Sequence, residues 1–236
     1  ESLEQNAIEK PEEDLLELDW DDAGQVDVIS IELGYGLIPL IEEERHGRLL
    51  HRAKGIRKKM SGEYGFLLPT IRIRDNLDIS PHRYNLVING STRGKGDIEL
   101  GKFLAINPGS VLETVSGKEI KEPAFGLDAV WVEAKDKEYA QAVGYTVVDA
   151  STVIATHLNA VLRSNTEELL TYEIAQHLVD RVEETSPKLV EELLPENLPM
   201  SVLVKVLQNL PGEGVPIKDM RSILETLSDA APYTKS

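Results

Sequence analysis

Residues 129–162 read AVWVEAKDKEYAQAVGYTVVDASTVIATHLNAVL, and this run decides the fold. Ala129-Val-Trp-Val132 is an alternating or buried strand, and Lys135 to Val143 suits a short helix. Tyr145-Thr-Val-Val-Asp149 is a second strand. Ser151 or Asp149 can then cap a longer helix whose apolar face holds Val153, Ile154, His157, Leu158 and Leu162. A β-rich segment therefore passes into a helical one near Ala150, and each side can be followed outward.

Upstream, residues 102–149 consist of short β segments between turn signals. Phe103-Leu-Ala-Ile106 ends at Asn107-Pro-Gly109, and Val111 to Val115 precedes Gly117. Before them, Val26-Asp-Val-Ile-Ser-Ile-Glu-Leu33 alternates as a half-buried strand, and Gly34-Tyr-Gly36 with Pro39 breaks the regularity. From Gly47 to Met60, Leu49, Leu50, Ala53, Ile56 and Met60 share one helical face. Thr70 to Asp75 and Tyr84 to Asn89 are two further strands, and Gly90-Ser-Thr-Arg-Gly-Lys-Gly96 reads as a hairpin turn.

Downstream the period is helical. Thr166 opens a segment with Leu169, Leu170, Ile174, His177, Leu178 and Val182, and Ser186-Pro187 starts another. Leu203, Val206, Leu207 and Leu210 form a stripe that Pro211-Gly212 is expected to stop, and Pro216 is expected to open the last helix. The fold class is α+β with several subdomains. Residues 26–101 and 150–165 form a first α/β subdomain, 102–149 an inserted β-rich subdomain, and 166–236 an all-helical subdomain.

Charge sets residues 1–25 apart. Residues 1–27 carry eleven acids against Lys10 alone, so most of the net charge of −16 lies there. This stretch reads as an acidic linker, in which Leu15, Leu16, Leu18 and Trp20 suit either an anchor on a partner or loose packing on the chain's own body. An acidic surface repels phosphate backbones and makes nucleic acid an unsuitable partner. One basic cluster, Arg45 to Lys59, reads as a solvated helix face. The absence of cysteine excludes disulfides, thiolate metal sites and a cysteine nucleophile. No apolar run approaches the ~18 residues that cross a bilayer. The chain begins at Glu1 without a signal-peptide pattern and reads as a fragment of something longer.

Motifs for catalysis are missing. Gly90 and Gly94 are too close for a phosphate loop, and Gly96 follows Lys95 where a hydroxyl residue is needed. The five histidines lack zinc-site spacing, and His157 on its apolar helix reads as a hydrogen-bonded structural residue. There is no nucleophile elbow, and Gly34-Tyr-Gly36 lacks the third glycine of a dinucleotide fingerprint. The expectation is a non-enzyme without metal or cofactor.

Several collinear islands resemble one family. They are Ile31 to Leu40, Ile71 to Leu77, Leu104 to Gly109, Glu122-Pro-Ala-Phe-Gly-Leu-Asp-Ala-Val-Trp-Val132, Gly144 to Leu158, Leu203 to Asn209 and Pro216 to Glu225. Together they are similar to the cytoplasmic part of the FlhA/InvA family of type III export-gate proteins, and to its flagellar branch more than its injectisome branch. The resemblance implies a preceding membrane region, a fourth C-terminal subdomain absent here, and a place on the cytoplasmic face of the bacterial inner membrane. It also implies a nine-membered ring that receives export chaperones with bound late substrates and passes the substrates to the export gate. The injectisome homologue is the alternative, and a small-molecule enzyme using the inter-subdomain cleft is a further one.

The family's chaperone-binding dimple maps onto Glu122, Phe125 and Thr156, with Ile106, Pro108, Leu127, Val148 and Val153 as lining. Phe125 and its aliphatic neighbours would supply apolar area, while Glu122 and Thr156 would orient a partner helix by polar contacts. Without the resemblance Phe125 reads as core. Glu17, Trp20 and Asp22 match the family's neighbour-contacting linker. Two departures stand out. Glu122 fills a position held by aspartate in some relatives, and Pro211 falls where a leucine is expected.

Overall fold

The computed structural model describes residues 26–42 and 47–231. Glu17, Trp20 and Asp22 therefore lie outside the described residues. The fold is α+β, with two four-stranded sheets and a helical body.

The first sheet has the order β2-β1-β3-β4, formed by β1 (Ile29–Leu33), β2 (Ile71–Asp75), β3 (Arg83–Ile88) and β4 (Ser91–Asp97). β1 and β2 run parallel because helix α1 (Arg48–Tyr64) crosses between them, whereas β1, β3 and β4 are antiparallel. The strand starts at Ile29 rather than Val26, since Ile29 is the first residue paired on both sides, to Ile71 and Ile88. Ile29, Ile31 and Leu33 are buried. A short 3₁₀ turn (Tyr35–Leu40) follows.

The region 90–96 corrects the sequence reading. The turn is only Asn89-Gly90, at φ 48° and 75°, and Ser91 to Asp97 continues as β4. Positive φ at both central residues matches the right-handed twist of the flanking strands. The register slips between Leu86 and Val87, leaving Arg93 as the extra residue of a bulge. Its guanidinium reaches Glu168 at 2.7 Å.

The second sheet, in the order β6-β7-β5-β8, is antiparallel throughout. It comprises β5 (Phe103–Ile106), β6 (Lys118–Lys121), β7 (Asp128–Val132) and β8 (Thr146–Asp149), with α2 (Lys137–Ala142) between β7 and β8. Val111 to Val115 forms no strand, and β6 lies just beyond it. β8 runs directly into α3 (Ala150–Ser164), which packs on α1 and on β3 and β4.

The remaining helices are α4 (Thr166–Leu169), α5 (Tyr172–Glu183), α6 (Pro187–Leu193), α7 (Met200–Gly212) and α8 (Met220–Ala230). Two sequence expectations fail here. Pro211 does not end α7: it is buried in the last turn, where it forfeits one backbone bond to the preceding turn, yet Glu213, Gly214 and Val215 still donate back to residues 209–211. Pro216 does not open α8; Asp219 caps it through the Ser222 amide at 3.1 Å.

One apolar core runs from β1 and β3 through α3 into the helical body, and it includes Leu104, Ala129 and Trp131 of the second sheet. A separate small core of Ala105, Val130, Val132, Ala140, Val143 and Tyr145 lies on the sheet's other face. Alternation along β5 and β7 sends neighbours to opposite cores.

Candidate functional site

The passage from β8 to α3 sets one wall of the site. Asp149 accepts from the Thr152 amide at 2.7 Å and from the Ser151 and Thr152 hydroxyls at 2.8 Å, so the helix starts at Ala150. Arg48 and Arg52 of α1 reach the other oxygen, each at 3.4 Å. Partial burial alone would raise the Asp149 pKa, but these hydroxyls, the Thr152 amide and the Arg52 charge overcome it and hold the carboxyl at about 2.

A capped start fixes the phase of α3. Val153 and Thr156, three residues apart, then face the end of the second sheet. Opposite stand Ile106 and Pro108 at the end of β5, Thr146 and Val148 on β8, and Glu122, Phe125 and Leu127 on the loop between β6 and β7. These residues enclose an open, mostly apolar cleft of about 220 Å³. All eight residues expected from the sequence to share a dimple do share this cleft. Thr146 joins them and was missed; its signal was its spacing of two from Val148, which puts both on one face of β8.

Inside the cleft the roles differ from a simple apolar-plus-acid picture. Phe125 is not core, because 67% of it is exposed at the rim. Leu127 is exposed beside it, and Val153 is buried at the base. Glu122 is only 2% exposed. Its Oε1 accepts from the Ala124 amide at 2.9 Å and its Oε2 from the Phe125 amide at 2.8 Å. The carboxylate is thus turned into its own loop, and of the two expected polar contacts only half-buried Thr156 is placed to meet a partner.

Beneath the cleft, the buried His157 places Nδ1 2.8 Å from the Tyr84 hydroxyl on β3. Burial lowers the His157 pKa, and the nearby negative charge of Glu122 opposes that shift in part. Burial raises the Tyr84 pKa, and Glu122 and Asp97 push it the same way. The pair is a structural contact between the first sheet and α3. Among the described residues no group of three or more His, Asp or Glu could hold a metal ion. Among them, too, no helix is long and apolar enough to cross a membrane.

Two sheets joined through one long helix, with an open apolar cleft at the joint, define a multi-part α+β scaffold. The FHIPEP family model matches residues 1–236, and the chain belongs to the FHIPEP family. It is 46% identical over 230 residues to the flagellar biosynthesis protein FlhA of Salmonella typhimurium, a match covering 97% of this chain and 33% of that protein. Against the Escherichia coli FlhA the identity is 48% over 218 residues, covering 92% and 32%. The chain spans about a third of the length of these curated relatives.

Among solved structures, the Chlamydia pneumoniae CdsV protein matches with a TM-score of 0.73 at 23% identity, over 92% of this chain and 64% of that one. A nonameric SctV-C from EPEC, seen by cryo-electron microscopy, matches with a TM-score of 0.61 at 20% identity, over 90% and 62%. At these identities the structures establish the shared fold.

Proposed function

We propose that the chain is a docking platform of the flagellar type III export apparatus, at the cytoplasmic face of the bacterial inner membrane. Its 106–156 cleft takes export chaperones loaded with late substrates, and the platform passes those substrates to the export gate. Membership of the FHIPEP family makes the chain part of an export-apparatus component. Identity of 46–48% to flagellar relatives, against 20–23% to the CdsV and SctV structures, favours the flagellar branch over the injectisome branch.

The observation that carries the docking reading is Phe125. A large aromatic ring held 67% exposed beside an apolar cleft is an anchor in search of cover. Ile106, Val148 and Val153 supply the floor, and the Thr156 hydroxyl offers a directional hydrogen bond. Recognition of one apolar face of a partner helix fits such a groove. The nonameric arrangement of the SctV-C structure supports ring formation by the intact protein. In such a ring Glu17, Trp20 and Asp22 of the acidic segment would contact the neighbouring subunit, as the family resemblance implies.

The test is binding of a purified flagellar chaperone–substrate complex, measured by calorimetry. Replacing Glu122, Phe125 and Thr156 together should weaken it by at least about thirtyfold, the loss of one interface hot spot. Phe125→Ala alone should account for most of that loss. Unchanged affinity in a folded triple variant would remove the cleft from the interface.

A further inference from the structure

We infer that Glu122 serves the cleft as a positioning residue, acting through Phe125 rather than by touching the partner. The inference rests on the docking reading for its consequence, but its geometry stands in the free protein.

β6 and β7 are joined by residues 122–127, and this loop closes on itself at both levels of structure. In the backbone, Glu122 donates to Leu127 at 2.7 Å, and Gly126 donates back to the Glu122 carbonyl at 2.8 Å. Through the side chain, the two carboxylate oxygens each receive one amide, from Ala124 and Phe125. The pattern is that of a helix N-cap, with one acidic residue accepting from the amides two and three positions on. Pro123 has no amide hydrogen, so the loop has no unused donor next to the acid.

The consequence for Phe125 is direct. Its own amide hydrogen is held by a carboxylate that is itself only 2% exposed, so the Cα–Cβ direction is set from inside the fold while the ring stays outside. A partner approaching the cleft meets the ring and not the acid. Negative charge matters here because a carboxylate presents acceptors on both oxygens. A glutamine presents one acceptor and one N–H₂ group, which would face a backbone N–H as donor against donor.

Four single variants and one double variant test this, read by amide exchange in the free protein and by affinity for the chaperone–substrate complex. Glu122→Gln should speed exchange at the Ala124 and Phe125 amides, leave β1 and β3 protected, and weaken binding about tenfold. Glu122→Asp, which keeps both acceptors, should restore protection and most of the affinity. Gly126→Ala strains the loop at φ 71° without touching the acid, and should reproduce the loss seen with Glu122→Gln. Most telling is the cycle with Phe125→Ala, in whose background Glu122→Gln should cost nothing more.

Unaltered exchange at residues 124 and 125 in Glu122→Gln overturns the inference, and so does a binding loss that adds fully to that of Phe125→Ala. If the wild-type chain binds no such complex, the docking reading fails, and the exchange data alone decide whether Glu122 holds the loop.

Discussion

A methyl group on Gly94 would sit 2.8 Å from the His157 ring and 3.0 Å from a Val161 methyl, and one on Gly96 would sit 2.7 Å from the Tyr84 ring. β4 can therefore lie against α3 only because Gly94 has no side chain, and Gly96 leaves room for the Tyr84 ring of β3 that holds His157. The His157 ring has nowhere to go, since Tyr84 holds its other edge. Gly94→Ala is expected to destabilise the chain by roughly 1–3 kcal/mol, as overpacking of a tight contact does. Urea denaturation followed by circular dichroism would measure it, and a loss below a few tenths would show that α3 yields freely. The same glycines explain what the sequence hid. Glycine-rich 90–96 resembles a turn in composition, and β4 offers no alternating apolar face; Gly94 answers to His157 and Val161, more than sixty residues away, and Gly96 to Tyr84 on the neighbouring strand. His157 was legible as a structural residue from its apolar neighbours, whereas its partner Tyr84 was not.

β8 and α3 meet at one residue, and the boundary was legible because capping chemistry is local. Asp149 and Ser151 were the two candidate caps, and the structure uses Asp149 with Ser151 as a donor to it. Asp149→Ala should cost about 1–2 kcal/mol, the range for a lost N-cap. Because the folded pKa of about 2 lies below the ordinary value of 3.8, the carboxylate contributes its full stability above pH 4 and loses it as pH falls toward 2. Asp149→Asn keeps one acceptor oxygen but not the charge. Its deficit in urea midpoint relative to wild type should therefore be constant from pH 7 to 5 and shrink as pH falls from 4 to 3. A deficit that grows on acidification would mean that the ionised form is not the stabilising one. Elements without a local signal were missed. Lys118 to Lys121 is an edge strand with Ile120 as its lone apolar residue, and it forms because β7 and the Glu122 loop hold it. Pro211 misled in the opposite direction, since α7 continues through it and buries its ring in the last turn despite the backbone bond that proline forfeits there.

The candidate cleft was legible as a set of residues only through family resemblance, because its walls come from two parts of the chain that composition treats separately. Ile106, Pro108, Thr146 and Val148 lie on or at the end of second-sheet strands, Glu122, Phe125 and Leu127 on its β6–β7 loop, and Val153 and Thr156 on α3. How firmly the walls keep their distance depends on how the whole molecule divides its core. The large core ties β1 and β3 to α3 and to the helical body, whereas the outer face of the second sheet rests on six buried side chains of its own. Residues 102–149 are accordingly expected to open as a unit at lower free energy than the rest, since local stability follows buried apolar contact. Val143→Ala removes apolar volume from the small core alone, at a cost of about 2 kcal/mol. Native-state exchange should then run about thirtyfold faster at the amides of β5, β7 and β8, with those of β1 and β3 unchanged. Equal acceleration in both sheets would make the molecule a single cooperative unit, and the cleft a rigid groove. Selective acceleration would instead mean that the wall carrying Phe125 can part from α3 without unfolding it, so that a bound partner helix, by bridging the two walls, would slow exchange throughout the second sheet.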